Sequence, residues 1–208
     1  MSSGPTNAEP TTPPDATEEF ITNVIRLCDT DKAARADLRS GLGLPFEKCH
    51  RMHRHLVRWI SENTARPARE ARYAVAALIA GRPANARGSK TTTATENGSD
   101  ASSGLPADLG ASLGEAVRRG AMRPNSAEAT LHLLTRQRRT SIVRRLPALT
   151  GMLLRKEVGI DWVRLTKDLA WWDNDRDRIA TRWLERYYRA AQPPAEPSSP
   201  SDHSDTDQ

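Results

Sequence analysis

Wherever this chain carries apolar residues they recur at three- and four-residue steps, and no stretch sustains the alternation of a half-buried strand. Thr17 is placed to cap a first helix, with Glu18 and Glu19 in its first turn and Phe20, Ile21, Val24, Ile25 and Cys28 along one stripe. Asp31 caps a second, KAARADLRSGLG, which Gly41 and Gly43 stop ahead of Pro45. A third is predicted within 46–62, turning Met52, Leu56, Trp59 and Ile60 inward. A fourth, over 68–80, aligns Tyr73, Ala76, Ala77 and Ala80 and ends at Gly81-Arg82-Pro83. Downstream the spacing predicts a short helix over 109–119 ending at Gly120, then one capped by Ser126 that carries Ala129, Leu133 and Leu134. A longer helix over 141–158 sets Ile142, Leu146, Leu149 and Leu153 on one stripe, with Pro147 either kinking it or restarting it. Asp161 caps a helix with Trp162, Leu165, Leu169 and Trp172 inward, and Asp173 or Asn174 opens the last, with Ile179, Trp183 and Tyr187. The expected fold class is all-α.

Three segments lack any apolar period. Residues 1–16 and 191–208 are rich in Pro, Ser, Thr and acids and read as disordered tails. Residues 82–107 hold Leu105 as their only large aliphatic side chain and read as a long flexible polar connector. The expected organisation is therefore two small helical-bundle lobes, 17–81 and 108–190, joined by that connector and flanked by acidic tails.

Composition agrees with a partly unfolded chain: 208 residues, 37% hydrophobic, 5% aromatic, 27% charged, mean hydropathy −0.66. No run is long and apolar enough to span a membrane, the N-terminus lacks a basic and apolar leader, and Cys28 and Cys49 form no disulfide framework, so a cytoplasmic protein is expected. Charge changes the picture more. All 31 Lys and Arg lie between Phe20 and Arg189, where 18 of the 26 acids accompany them, leaving that body at +13 against a formal +5 overall. Such an excess favours an anionic partner, foremost nucleic acid. Arginine outnumbers lysine 26 to 5. A GC-rich genome would account for that ratio but not for the net excess.

Candidate chemistry is thin. Gly88-Ser89-Lys90-Thr91 breaks the Gly-Lys-Ser/Thr order of a phosphate loop and follows no strand. Asp173 to Asp177 starts like a calcium loop but has Arg178 and Leu184 where glycine and glutamate belong, and suits an acidic helix N-terminus. Cys49 and His53 stand one turn apart in a His-rich run with His50 and His55, yet no second ligand pair accompanies them, so the run reads as a solvated basic face. Cys28 lies on an apolar stripe, and no paired carboxylates stand out. No enzyme, cofactor or metal is expected. The arginines do recur at helical spacing: Arg35 with Arg39; Arg51, Arg54 and Arg58; and a cluster of Arg136, Arg138, Arg139, Arg144 and Arg145 followed by Arg155 and Lys156. On a continuous helix Arg144 and Arg155 share a face, as do Arg145 and Lys156, and such stripes suit a phosphodiester backbone. Trp162, Trp172, Trp183 and Tyr187 fall on apolar stripes, which leaves Trp171 and Tyr188 facing elsewhere.

The second lobe resembles the CasB family, the small subunit of the type I-E CRISPR surveillance complex, Cascade. The likeness rests on Leu109-Gly110-Ala111-Ser112-Leu113-Gly114-Glu115-Ala116, Leu133-Leu134 with the arginines after it, Leu153-Leu154-Arg155 leading to Ile160-Asp161-Trp162, Leu165, Asp168-Leu169, Trp171-Trp172, and Arg182-Trp183 to Tyr187-Tyr188-Arg189. In the first lobe Ile25 to Gly43 and Tyr73 to Leu78 are similar too. The resemblance implies a non-catalytic helical protein that forms a homodimer within the complex, contacts its other subunits, CRISPR RNA and target DNA, and stabilises the R-loop by holding the displaced strand on Arg-rich faces, in antiviral defence. By the same resemblance Arg39 matches the basic end of the family's second helix, Arg138 or Arg139 the basic position after Leu-Leu, and Arg144-Arg145 the paired arginines, although these stand about one turn too far from Trp162. The candidate nucleic-acid-binding residues are thus Arg35, Arg39, Arg51, Arg54, Arg138, Arg139, Arg144, Arg145 and Arg155. Two other readings remain: a helix-turn-helix transcriptional regulator using residues 31–60, and a structural scaffold whose arginines meet protein carboxylates.

Overall fold

In the computed structural model, which describes residues 15–83, 86 and 108–192, Asp15 rather than Thr17 opens the first helix. Its carboxylate accepts the Thr17 amide at 2.9 Å, and α1 (Ala16–Thr30) then buries Phe20, Ile21, Val24 and Cys28. The segments 1–14, 84–85, 87–107 and 193–208, which contain most of the predicted connector and tails, lie outside the described residues. Asp31 caps α2 (Lys32–Arg39) as its spacing predicts, accepting the Ala33 and Ala34 amides at 2.8 and 2.9 Å.

The helix expected within 46–62 is present but short, flanked on each side by a 3₁₀ turn. A 3₁₀ turn, Phe46–Lys48, leads through Cys49 (φ −87°, ψ 39°) into α3 (His50–Leu56), and a second 3₁₀ turn follows at Val57–Trp59. Phe46 meets Tyr73 edge-on at 4.8 Å, a tertiary contact that the local pattern does not encode. Next, α4 (Arg66–Ala80) begins with Pro67 in its first turn, where a missing N–H costs nothing.

Asp108 caps α5 (Leu109–Arg118), accepting the Ala111 amide at 3.1 Å. The following helix, α6 (Pro124–Thr135), starts at Pro124 rather than behind a Ser126 cap; it buries Ala127, Leu131 and Leu134 and leaves Ala129 and Leu133 exposed. Pro147 neither stops nor restarts α7 (Arg139–Arg155), which runs through it. Asp161 caps α8 (Trp162–Ala191), accepting the Arg164 amide at 2.8 Å. Helical geometry fails at Asp175 (φ −140°, ψ 33°), within two residues of the expected boundary. The break is large, because Trp172 and Trp183 have ring centroids 4.9 Å apart whereas eleven residues of straight helix would separate them by about 16 Å. The two arms of α8 therefore lie against each other. Among the described residues there is no strand.

α8 is the centre of the packing, meeting α5 most extensively and α4 next. Gly110 and Gly114 make the first contact possible: a Cβ on Gly110 would sit 1.9 Å from the Trp183 carbonyl oxygen, and one on Gly114 2.6 Å from that of Tyr187. One hydrophobic cluster holds residues from both sides of the connector, from Phe20, Met52 and Tyr73 to Leu113, Leu131, Trp172 and Trp183. The two predicted lobes are in contact along α4 and α8.

Candidate nucleic-acid interface

Much of the positive charge is spent inside the fold. The Asp108 carboxylate, fully buried, lies 3.4 Å from Arg182 Nε and 3.6 Å from Arg186 Nε, tying the start of α5 to the second arm of α8. Asp168, on the first arm, accepts Arg182 Nη2 at 2.5 Å and the Trp183 indole N–H at 2.7 Å, with Arg164 Nε at 3.2 Å. Burial pushes the Asp108 carboxyl above its ordinary range, against the opposing pull of the Ala111 amide and the two arginines. These carboxylates are taken up by arginines, a cap and an indole, which makes them a clamp across the bend. Arg82, also buried, donates to Asp29 at 2.9 Å and to the Ile79 carbonyl at 3.0 Å.

Arg139 belongs with this group, contrary to its place among the candidates. It is 8% exposed, donates through Nη2 to Glu70 on α4 at 2.7 Å, and lies 3.3 Å from Asp173 on α8 through Nε. Its burial between three helices withdraws the guanidinium from any strand passing over the surface. It also faces a small cleft of about 140 Å³ shared with Arg66, Tyr73 and Arg144.

The other candidates reach solvent to different extents. Arg39 is exposed in the last turn of α2, and Arg51 is exposed on α3; neither side chain has a hydrogen bond or ion pair among the described residues. Arg35 is half-buried on α2. Arg54 is exposed but pairs with Asp37, which also meets His55 Nε2 at 2.9 Å; His55 and then Arg54 hold the Asp37 carboxyl below its usual range. On α7, Arg138 is the exposed N-cap, Arg144 and Arg155 are exposed, and Arg145 Nε donates to Gln137 at 3.1 Å. Because α7 is continuous, Arg144 and Arg155 do share a face, three turns or about 16 Å apart. The loop after α2 crosses α7 here: Gly43, at φ 69°, lies against the Arg144 backbone, so the end of α2 bearing Arg39 sits a few residues from Arg144. The structure thus places the exposed Arg144 and Arg155 on one face of α7, sets the loop that follows Arg39 against Arg144, and ties Arg54 to α2 through Asp37. Arg123, exposed at the N-cap of α6, adds a basic position that periodicity did not single out.

His53, expected on a solvated face, packs instead with Phe46 and Tyr73, at 5.6 and 5.3 Å between ring centroids. Cys49 is buried and directs its thiol to the Pro45 carbonyl at 3.5 Å. Among the described residues no group of three or more His, Cys, Asp or Glu side chains is placed to hold a metal ion, and no helix is long and apolar enough to cross a membrane.

A family model described as CRISPR-associated protein Cse2 matches residues 34–188. A chain from a CRISPR RNA-guided surveillance complex superposes with TM-score 0.70 at 31% identity, covering 85% of this chain and 93% of that one. A chain of the pre-nicking form of such a complex gives 0.71 at 32%, with the same coverage. A Cse2-family protein from Thermus thermophilus gives 0.60 at 26%, covering 83% and 97%. No curated protein matches.

Proposed function

The chain belongs to the CRISPR-associated Cse2 family, and from that premise we propose that it is a non-catalytic small subunit of a type I-E RNA-guided surveillance complex, Cascade, acting in antiviral defence in the cytoplasm. In this reading it works as a homodimer within the complex and steadies the R-loop by holding the displaced single strand. The observation that supports the strand-binding role is a set of exposed arginines: Arg39, just before the loop that lies against Arg144, and Arg144 and Arg155 on one face of α7. Guanidinium groups spread along a strand neutralise separate phosphates without reading bases, and sequence is left to pairing with the guide RNA. Arg51 and Arg138 are exposed as well and add to the positive surface. Arg35, Arg54 and Arg145 contribute less, being half-buried or engaged, and Arg139 serves the fold.

The test is to assemble the surveillance complex with and without this subunit and with the Arg39→Ala, Arg144→Ala double variant. The double variant is expected to assemble normally and to shorten R-loop lifetime by roughly five-fold or more, two charge-assisted phosphate contacts being removed. An unchanged lifetime with full assembly overturns the strand-holding role. Loss of assembly would instead favour the scaffold reading.

A further inference from the structure

The pattern of α3 and the 3₁₀ turns flanking it leaves one surface that phosphate contacts do not explain. Between these turns and α4 lies an open groove of about 540 Å³, walled by Phe46, His53, Val57, Ile60, Arg69 and Tyr73. Val57 is 63% exposed, an unusual cost for an aliphatic side chain, while Phe46 and His53 are half-buried and present the remainder of their rings. Tyr73, itself buried, holds both rings edge-on, at 83° to Phe46 and 81° to His53, so the aromatic wall is fixed before anything binds. Around the groove the charge is predominantly positive. Arg54 stands at its edge, Arg51 lies one turn earlier on the same helix, and Arg58 lies over the Trp59 ring at 4.3 Å; Glu62 is the acid at the rim.

The geometry points to this groove as a seat for an unstacked base of the single strand, held between the Phe46–His53 wall and Val57 while the exposed Arg51 meets a flanking phosphate. Its size is within the range of pockets that take ligands of nucleotide size. Flat aromatic walls with guanidinium groups alongside are what sequence-tolerant single-strand binding uses, since every base has a π-face. Charge complementarity selects a nucleic acid over an apolar peptide, for which Arg54 and Arg69 in the lining, with Arg51 and Arg58 nearby in sequence, would be a liability. The inference rests on the strand-holding role proposed above, and it adds that bases as well as phosphates contribute.

The full-length protein is titrated against two labelled 15-mers carrying the same phosphates, one a mixed-sequence single strand and the other built wholly of abasic residues, over a series of salt concentrations. The base-bearing strand is expected to bind about five-fold or more tighter, with equal salt slopes for the two. Val57→Ser, a change at an exposed position that leaves packing intact, and His53→Ala should bring that ratio below about two while leaving affinity for the abasic strand unchanged. Equal affinities for the two strands with a steep salt slope overturn the groove and leave the role of the exposed arginines standing. A ratio that survives both variants also overturns it, by moving base contact elsewhere. Salt-independent or absent binding to both strands overturns the strand-holding role itself. Reduced assembly by Val57→Ser with no base preference in the parent protein would make the groove a protein dock and overturn the assignment.

Discussion

Arg139 and Arg144 are five residues apart in one arginine-rich run, and the fold gives them opposite duties. Arg139 is itself buried against Glu70 and Asp173, so truncating it removes two ion pairs and opens a void between three helices, whereas Arg144 projects into water. Arg139→Ala should lower unfolding free energy by about 1–2 kcal/mol and Arg144→Ala by less than about 0.5, a contrast that urea titration followed by circular dichroism would measure. Equal losses would show that burial does not sort these side chains. The distinction was not legible in the sequence, because what buries Arg139 is a glutamate 69 positions away, with nothing local to announce it. Asp37 gives a second, pH-dependent case. With its folded pKa held below the unfolded value by His55 and Arg54, its stabilising effect is complete above the ordinary carboxylate pKa of about 4 and disappears as pH falls through the depressed value. The deficit of Asp37→Asn, measured by denaturation across pH, should therefore be largest near neutrality and close in strong acid.

At the scale of the elements, the helices themselves were legible because their apolar stripes are regular and their caps local: Asp31 and Asp161 cap as their positions require, and the tryptophan stripes of α8 are buried while Trp171 and Tyr188 remain outside. The acidic run at 173–177 marks the bend in α8 within two residues. What pattern could not show was where within 46–62 the helix lies, between two 3₁₀ turns, with Phe46 and His53 packed on Tyr73. Nor could it show why the two glycines of α5 are there. Gly110→Ala must push α5 off α8, since its Cβ meets backbone rather than a movable side chain, and should cost about 2 kcal/mol or more. Gly151→Ala in α7 is the counterpart, with its nearest neighbour the flexible end of Arg155 at 3.4 Å; relief of helical glycine entropy should stabilise the protein by about 0.5–1 kcal/mol. Thermal denaturation of the two variants, expected to move in opposite directions, checks both. Gly110, Gly114, Asp161, Trp172 and Trp183 are also among the residues that carry the family likeness, so the signature records how the helices close on one another. The proposed binding face left a fainter trace, as Arg39 and Arg144 have no ion-pair partner to fix them among the described residues.

For the molecule as a whole, the +13 body is partly internal, and only the guanidinium groups left outside are available to a polyanion. Single-strand binding with about four phosphate contacts should fall with salt at a log–log slope near −3, and each of Arg39→Ala and Arg144→Ala should reduce its magnitude by about 0.7. Anisotropy titrations over a salt series would read this directly, and slopes unmoved by both changes would exclude those arginines from the contact. The closure of α8 on α4 has another consequence. Since the parts before and after residues 84–107 share one core and are tied by Glu70–Arg139 and Asp15–Lys167, the covalent link between them is not what keeps them together. Cleavage at an engineered protease site near residue 95 should leave a nicked protein that elutes and melts as one species, and the two pieces, co-expressed as separate chains, should reconstitute it by fragment complementation.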